Sequence, residues 1–566
     1  MTAHLDTFAR DNLPPRAQWP DFLFELPELK YPERMNCVVE LLDRWIAAGW
    51  GDRPCLISPA ETLTYAQLAE RVNRIANVLT RSLGLMPGHR VLLRGPNNPM
   101  MVAAYLAVVK TGAIVVATMP LLRAKEIAYP TAKAKIRLAL CDHRLAEEME
   151  KARSLAPELE RVVYWGSGAS DALETLMATR GYETFVPCDT ASDDVCLIAF
   201  TSGTTGEPKG TMHFHRDMLA TCDSYGRYVL RAEASDRFIG SPPLAFTFGL
   251  GGLVLFPLRV GAASILIEKA SPDDLLAAIE KFRATIAFTA PTAYRAILAR
   301  LREHDMSSLR KCVSAGEALP KATFDAWLAA TGIKILDGIG ATEMLHIFIG
   351  SPEEEIRPGA TGKPVPGYGA RVVDADRKEL PPNTIGRLAV RGPTGCRYLA
   401  DKRQLQYVQD GWNITGDTYL MDEDGYFWYQ ARSDDMIVSS GYNIAGPEVE
   451  AALLEHPAVA ECGVVGAPDE ERGQVVKAYV VLRTGYSGDA VTTKLLQEHV
   501  KGTIAPYKYP RTIEYVSQLP RTQTGKLQRF ELRRITADAA SQSLRRDSYG
   551  DPSYFVAETS SRHPRA

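Results

Sequence analysis

Apolar residues follow two alternating rhythms along most of this chain. Asn36 to Ala48 and Thr64 to Leu83 place them at helical intervals, as does Met100 to Thr111. Thr64-Tyr-Ala-Gln67 has the form of a capping start, and Gly84 stands where a left-handed residue closes a helix. Between the helical stretches lie short apolar runs: Arg90 to Arg94, Ala113 to Thr118, Lys135 to Cys141, Val195 to Phe200 and Ala284 to Phe288. These read as buried strands, and their alternation with helices predicts parallel βαβ layers. Ser271 and Pro272 predict an N-cap and first turn for a helix reaching Phe282. The first 35 or so residues lack a clean period and are expected to wrap the surface of the first domain.

From Arg357 onward glycine and proline turns multiply. The alternating runs Ala370 to Val373 and Arg387 to Arg391 predict a small β subdomain. Near Ser433 a new unit begins, with helices from Pro447 to Glu455 and Thr492 to about Ile504, and strands from Glu461 to Gly466 and Val475 to Leu482. The expectation is an α/β protein. A large multi-layered N-terminal domain (residues 1–432) with parallel βαβ subdomains and a small β subdomain precedes a linker (433–436), a small α+β C-terminal domain (437–540) and a polar, mobile tail (541–566).

Composition narrows the picture. At 566 residues the chain needs more than one core, and 46% hydrophobic with 23% charged residues is ordinary for a soluble enzyme. A net charge of -3 gives no footprint for nucleic acid or an anionic membrane. Nine scattered cysteines without a C-x-x-C pair suit a reducing, cytoplasmic setting. The N-terminus lacks the basic-then-apolar order of a signal peptide. The apolar window Leu250 to Ile267 is broken by Pro257 and Arg259, which argues against a membrane span.

The stretch that carries chemistry is Phe200-Thr201-Ser202-Gly203-Thr204-Thr205-Gly206-Glu207-Pro208-Lys209-Gly210. Glycines let backbone N–H groups approach an anion, hydroxyls add donors, and Lys209 adds charge. These residues suit a polyphosphate cradle, although the same residue types also build plain surface turns. No Lys-Ser/Thr pair follows the second glycine, so it is not a Walker A loop. Met212-His213-Phe214-His215 offers two histidines at i and i+2 with no third ligand, which reads as structural.

The order of residues 200–210 resembles the phosphate-binding signature of the adenylate-forming superfamily of acyl-CoA synthetases, adenylation domains and luciferases. Further matches follow over roughly residues 50 to 535. The resemblance implies a two-domain fold whose C-terminal domain acts as a lid. It also implies a two-step reaction: a carboxylate attacks the α-phosphate of ATP, and a thiol then displaces AMP. Thr201, Ser202, Gly203, Thr204, Thr205 and Lys209 would hold the phosphates. Asp337-Gly338-Ile339-Gly340-Ala341-Thr342-Glu343 resembles the adenine and magnesium motif, with Thr342 at the α-phosphate and Glu343 on Mg²⁺. Ile339 stands where many relatives carry Tyr. Gly316, Glu317 and Ala318 would flank the adenine, and Asp417 would take the ribose hydroxyls with Arg432 nearby.

Asp434 matches the hinge between domains. Ser440-Gly441-Tyr442 resembles the segment beside the pantetheine tunnel and points to coenzyme A as the thiol. Lys526, in Thr524-Gly525-Lys526, matches the lysine that serves adenylation. The acyl pocket would draw on Phe246, Thr247, Gly340 and His346, with Phe246 where many relatives carry His. Gly340 to Phe348 resembles benzoate-type CoA ligases, and among them 2-aminobenzoate–CoA ligases. The expected partners are an aromatic acid, ATP and CoA, with no nucleic acid and no membrane, in a monomer or homodimer. A freestanding adenylation enzyme loading a carrier protein competes with this reading. So does a non-enzymatic nucleotide-binding regulator, against which the intact Lys526 and Glu343 stand.

Overall fold

Two sheets built on parallel strands carry the larger part of the molecule. The computed structural model describes residues 1–201, 207–432, 435–439, 442–469, 472–522 and 525–548. The chain divides into two units. The larger comprises Met1–Ser433 with the short stretch Gln523–Lys526, and the smaller comprises Asp434–Thr522 and the chain from Leu527 onward.

In the larger unit a six-stranded sheet runs in the order Arg161–Trp165, Leu138–Asp142, Arg90–Arg94, Ile114–Thr118, Val195–Phe200, Gly210–Phe214. All neighbours are parallel except the last pair, which flank the phosphate-loop stretch as an antiparallel hairpin. A nine-stranded sheet has six parallel strands at its centre, from Pro54–Ile57 to Ile335–Gly340, and antiparallel strands at its edges. The strands read as continuous apolar runs because helices cover both faces of such sheets. Leu93, Val115, Leu197, Phe238, Phe288 and Ile347 belong to one buried cluster that extends through both sheets. A five-stranded antiparallel sheet of Gly369–Val373, Gly386–Arg391, Val408–Gln409, Trp412–Met421 and Phe427–Arg432 forms the expected β subdomain.

Local signals are honoured closely. Thr64 accepts from the Gln67 amide and Gln67 returns the bond, a complete capping box for Tyr65–Asn77. That helix widens into a π turn at Val78–Ser82 before Gly84, whose φ of +67° suits glycine. Ser271 caps Pro272–Phe282 through the Asp274 amide. Residues 1–35 form only short helical turns and isolated bridges such as Phe22 to Gly392, as a surface wrap requires. The window Leu250 to Ile267 folds into helical turns and the short strand Ala263–Ile265, almost wholly buried. Among the described residues no helix is long and apolar enough to cross a membrane.

The smaller unit is a separate α+β body. Antiparallel strands Val459–Asp469 and Gly473–Leu482 carry helices Gly446–Glu455 and Ala490–Thr503 on a core of Val449, Leu453, Val464, Val480 and Leu496. Its bounds differ from the single span 437–540 in that 523–526 group with the larger unit. The final helix runs from Arg529 to Ser548, so the expected tail from 541 begins as helix. Polar composition suggested a tail there. Ion pairs from Arg534 to Glu531 and Asp538 at i,i+3 and i,i+4 spacing support a polar helix instead.

Candidate functional site

Among the described residues, the C-terminal ends of the parallel strands gather most of the expected ones. Thr201 follows Val195–Phe200, and its hydroxyl accepts from the Lys209 amide (3.1 Å) while its own amide donates to the Lys209 carbonyl (2.9 Å). This closes the base of the glycine-rich loop. Ser202, Gly203, Thr204 and Thr205 lie outside the described residues. Lys209 directs its ammonium to Glu343, with 3.6 Å between Nζ and Oε1.

The strand Ile335–Gly340 carries Asp337, Gly338 and Ile339 and turns through Thr342–Met344 into Ile347–Gly350, its antiparallel partner. This hairpin holds the Thr342–Glu343 turn beside His346. Gly338 and Gly340 are sterically required. A Cβ on Gly338 would lie 2.6 Å from Ile347 Cγ2, and one on Gly340 2.8 Å from the His346 carbonyl group. Asp337 lies opposite Ser314 in the sheet register. Burial pushes its carboxyl up to about 8, with the Ser314 hydroxyl and the Gly338 amide pulling back. Its Oδ1 has no hydrogen-bond partner. Gly316 (φ +92°), Glu317 and Ala318 follow the neighbouring strand Lys311–Ser314.

Glu343 is 6% exposed and accepts a hydrogen bond from the Tyr398 hydroxyl. One buried carboxylate near the Lys209 ammonium suits Mg²⁺. That ion takes one or two protein carboxylates and fills its shell with phosphate oxygens and water. The donor set therefore fits such an ion, with Glu343 as its protein carboxylate.

Asp417 and Arg432 face each other across paired strands, with 3.6 Å between Nη1 and Oδ1. Burial raises the Asp417 carboxyl and Arg432 opposes it. Lys526 belongs with the larger unit, and a Cβ on Gly316 would stand 3.2 Å from its Cε. Crowding lowers its pKa, with Glu317 pulling upward, Arg432 adding to the fall and Asp417 pulling upward again. Yet more than a third of the Lys526 surface meets solvent, so screening limits what that shift is worth. Asp434, Ser440 and Gly441 lie outside the described residues, as does the side chain of Tyr442, which opens the strand Tyr442–Ile444.

The ring environment of His346 is aromatic on three sides. Phe256 meets it edge-on at 4.6 Å, Tyr225 at 5.6 Å and Phe248 at 5.7 Å between centroids. The imidazole is 3% exposed, and neither ring nitrogen makes a well-aligned hydrogen bond; burial pushes its pKa down to about 3, with the nearby Phe248 backbone pulling back. Gly251 makes the room: a Cβ there would lie 2.2 Å from His346 Cδ2. Phe246 and Thr247 stand at the start of the helix Thr247–Leu250 that carries Phe248. Tyr225 and Phe256 were not among the expected residues. They come from helical segments whose patterning reads only as core.

His213 and His215 serve different partners. His213 Nε2 donates to the Thr342 carbonyl (2.8 Å), while His215 Nδ1 accepts from the Cys37 amide (3.2 Å). Cys37, Cys196 and His215 bring three buried ligand atoms within 4.8 Å of one another, and hydrogen bonds among Cys37 and His215 already engage two of them. Below His213, Asp217 accepts from Arg397 in a fully buried ion pair that also receives the Phe214 amide (3.0 Å). Sequence reasoning passed over Arg397 and Tyr398 because their partners lie far along the chain.

A model of AMP-binding enzymes matches residues 43–398, and one of the AMP-binding enzyme C-terminal domain matches 448–526. A benzoate–CoA ligase of Thauera aromatica is 39% identical over 516 residues, 90% of this chain and 97% of that protein. The structure of the anthranilate–CoA ligase AuaEII in complex with anthranoyl-AMP superposes with a TM-score of 0.87 at 36% identity, covering 91% of this chain and all of that one. A benzoate–CoA ligase from Burkholderia xenovorans LB400 superposes at 0.80 with 30% identity, over 88% of this chain and all of that one.

Proposed function

The chain belongs to the AMP-binding enzyme family and is an acid–thiol ligase, and on that premise we propose that it joins 2-aminobenzoate or benzoate to coenzyme A through an acyl-adenylate, releasing AMP and pyrophosphate. One observation carries the choice of acid. His346 is a neutral, buried imidazole whose two nitrogens make no well-aligned hydrogen bond, in a cage of Tyr225, Phe248 and Phe256, one turn from Thr342 and Glu343. A flat aromatic ring fills such a cage by edge and offset contacts. An amino group ortho to the carboxylate would give a buried imidazole nitrogen the donor it lacks.

The roles proposed for the residues are those the family resemblance implies, and the placement of the described ones supports them. The loop from Thr201 to Lys209 binds the phosphates, Gly316 to Ala318 and Asp337 to Ile339 flank the adenine, and Asp417 takes the ribose hydroxyls with Arg432 beside it. The substrate carboxylate attacks the α-phosphate near Thr342, and pyrophosphate leaves. Lys526 offsets the negative charge that gathers there, which is where a preorganised cation lowers the barrier most. Mg²⁺ on Glu343 would supply further charge neutralisation to the phosphates. The CoA thiol then attacks the acyl carbon and AMP leaves; by the family resemblance Ser440, Gly441 and Tyr442 would serve the thiol's approach. Rotation about Asp434 would exchange the two stages.

The test is to follow AMP and thioester separately, with 2-aminobenzoate or benzoate, ATP and Mg²⁺, with and without CoA. Stoichiometric AMP and aryl-CoA, dependent on CoA for turnover, is the expected result. Adenylate formation with no thioester from CoA would defeat the proposal and favour loading of a carrier protein.

A further inference from the structure

Cys396 to Leu399 lies outside every expected motif, yet its backbone is fastened to the strand that leaves the phosphate loop. The Met212 amide donates to the Arg397 carbonyl and the Leu399 amide to the Gly210 carbonyl, both at 2.8 Å, with Thr211 bridged to Tyr398. The Tyr398 amide donates to Gln404 Oε1 at 2.9 Å. Residue 398 is thus held in register with Thr211, two positions beyond Lys209. Its side chain is 1% exposed and touches two groups of the site. The hydroxyl donates to Glu343 Oε1, and the ring lies 4.9 Å from the Lys209 ammonium. Tyr407 packs against the ring edge-on at 5.8 Å and limits its rotation.

Among the described residues the Tyr398 hydroxyl is the one hydrogen-bond donor to Glu343. The Lys209 ammonium stands 3.6 Å away, beyond a good hydrogen bond.

We propose that Tyr398 is a positioning residue for the divalent cation, fixing one carboxylate oxygen of Glu343 so that the other faces the metal. The proposal rests on the reading of Glu343 as the metal ligand. A glutamate has three rotatable bonds, and ordering them before the ion arrives lowers the entropy lost on binding. Partners of this kind orient ligating carboxylates, and their loss typically weakens metal affinity by about 10- to 100-fold.

The experiment measures Mn²⁺ binding by electron paramagnetic resonance, with a non-hydrolysable ATP analogue and no turnover, on the full chain. Tyr398→Phe keeps the ring against Lys209 and Tyr407 and removes only the donor. Its Mn²⁺ affinity is expected to fall by about 10- to 100-fold, with binding of the metal-free analogue little changed. Replacing Tyr398 with 3-fluorotyrosine keeps the donor and is expected to keep wild-type affinity. Tyr398→Met, also without a donor, substitutes if Y398F does not fold. Glu343→Gln separates the two readings. Weak Mn²⁺ binding in E343Q beside wild-type binding in Y398F overturns the role of Tyr398 alone, whereas wild-type binding in E343Q overturns the metal ligand and this proposal with it.

Discussion

Replacing His346 with leucine perturbs stability and selectivity at once, and the structure sets both magnitudes. The folded imidazole titrates near 3 because burial disfavours its cation, whereas an unfolded histidine titrates near about 6.5. Between those values the unfolded chain binds a proton that the folded chain refuses. Stability therefore rises with pH up to about 6.5 and levels off above it. At pH 5 the deficit is about 1.5 pH units at about 1.36 kcal/mol each, or about 2 kcal/mol. For a unit spanning Met1–Ser433, an unfolding entropy of about 2.1 cal/mol/K per residue converts this to about 2 °C in Tm. Leucine has similar bulk and no proton to refuse. The Tm difference between H346L and wild type should move in favour of H346L by about 2 °C between pH 8 and pH 5. Calorimetric scans of the larger unit's transition measure it. The lowered histidines His4 and His89 are common to both proteins and cancel. The same change deletes one neutral hydrogen bond, so the preference for 2-aminobenzoate over benzoate in kcat/KM should fall by about 2- to 10-fold. Parallel Tm–pH curves would refute the buried neutral imidazole, and an unchanged preference would refute its contact with the ring substituent.

Other expectations follow from the same geometry. Lys526→Ala should slow adenylation by about 10²- to 10³-fold yet leave thioester formation from pre-made aryl-adenylate largely intact; equal loss in both half-reactions would remove its assigned role. Arg397→Met strands Asp217 in a fully buried position and should destabilise the larger unit by about 3–5 kcal/mol, read as a lowered Tm; a drop well under that range would mean the pair is not closed in solution. The Asp337 carboxyl, raised to about 8 against about 3.9 unfolded, favours folding below pH 4 and loses that advantage as pH rises toward 8. Asp337→Asn should therefore flatten the decline in Tm from pH 5 to pH 8, by at most about 1.36 kcal/mol per unit since the residue is only partly enclosed. An unchanged slope would show that this carboxyl is ionised in the folded protein.

What the sequence made legible was local. Thr64 with Gln67, Ser271 with Pro272 and Gly84 each encode an element's end within a few residues, and each stands where expected. Thr201 ends the strand Val195–Phe200 and the Asp337–Glu343 run begins within Ile335–Gly340, and ligands of parallel sheets gather at strand ends. What escaped was long-range. Tyr398 reaches Glu343 across 55 positions, Arg397 reaches Asp217 across 180, and Tyr225 and Phe256 meet at His346 through packing of helices. No periodicity or spacing encodes such meetings, since they depend on which faces come together. The isolated charge of Arg397 beside apolar neighbours was the one available sign of a buried pair.

The most direct test of the central claim is release of AMP with ATP, Mg²⁺ and CoA across benzoate, 2-aminobenzoate, 2-hydroxybenzoate, 4-coumarate, acetate and octanoate. The account predicts turnover led by 2-aminobenzoate or benzoate, with the aryl-CoA as product. Turnover led by 4-coumarate, acetate or octanoate would leave the family standing and contradict the aromatic cage around His346 as the site of a benzoate-type ring.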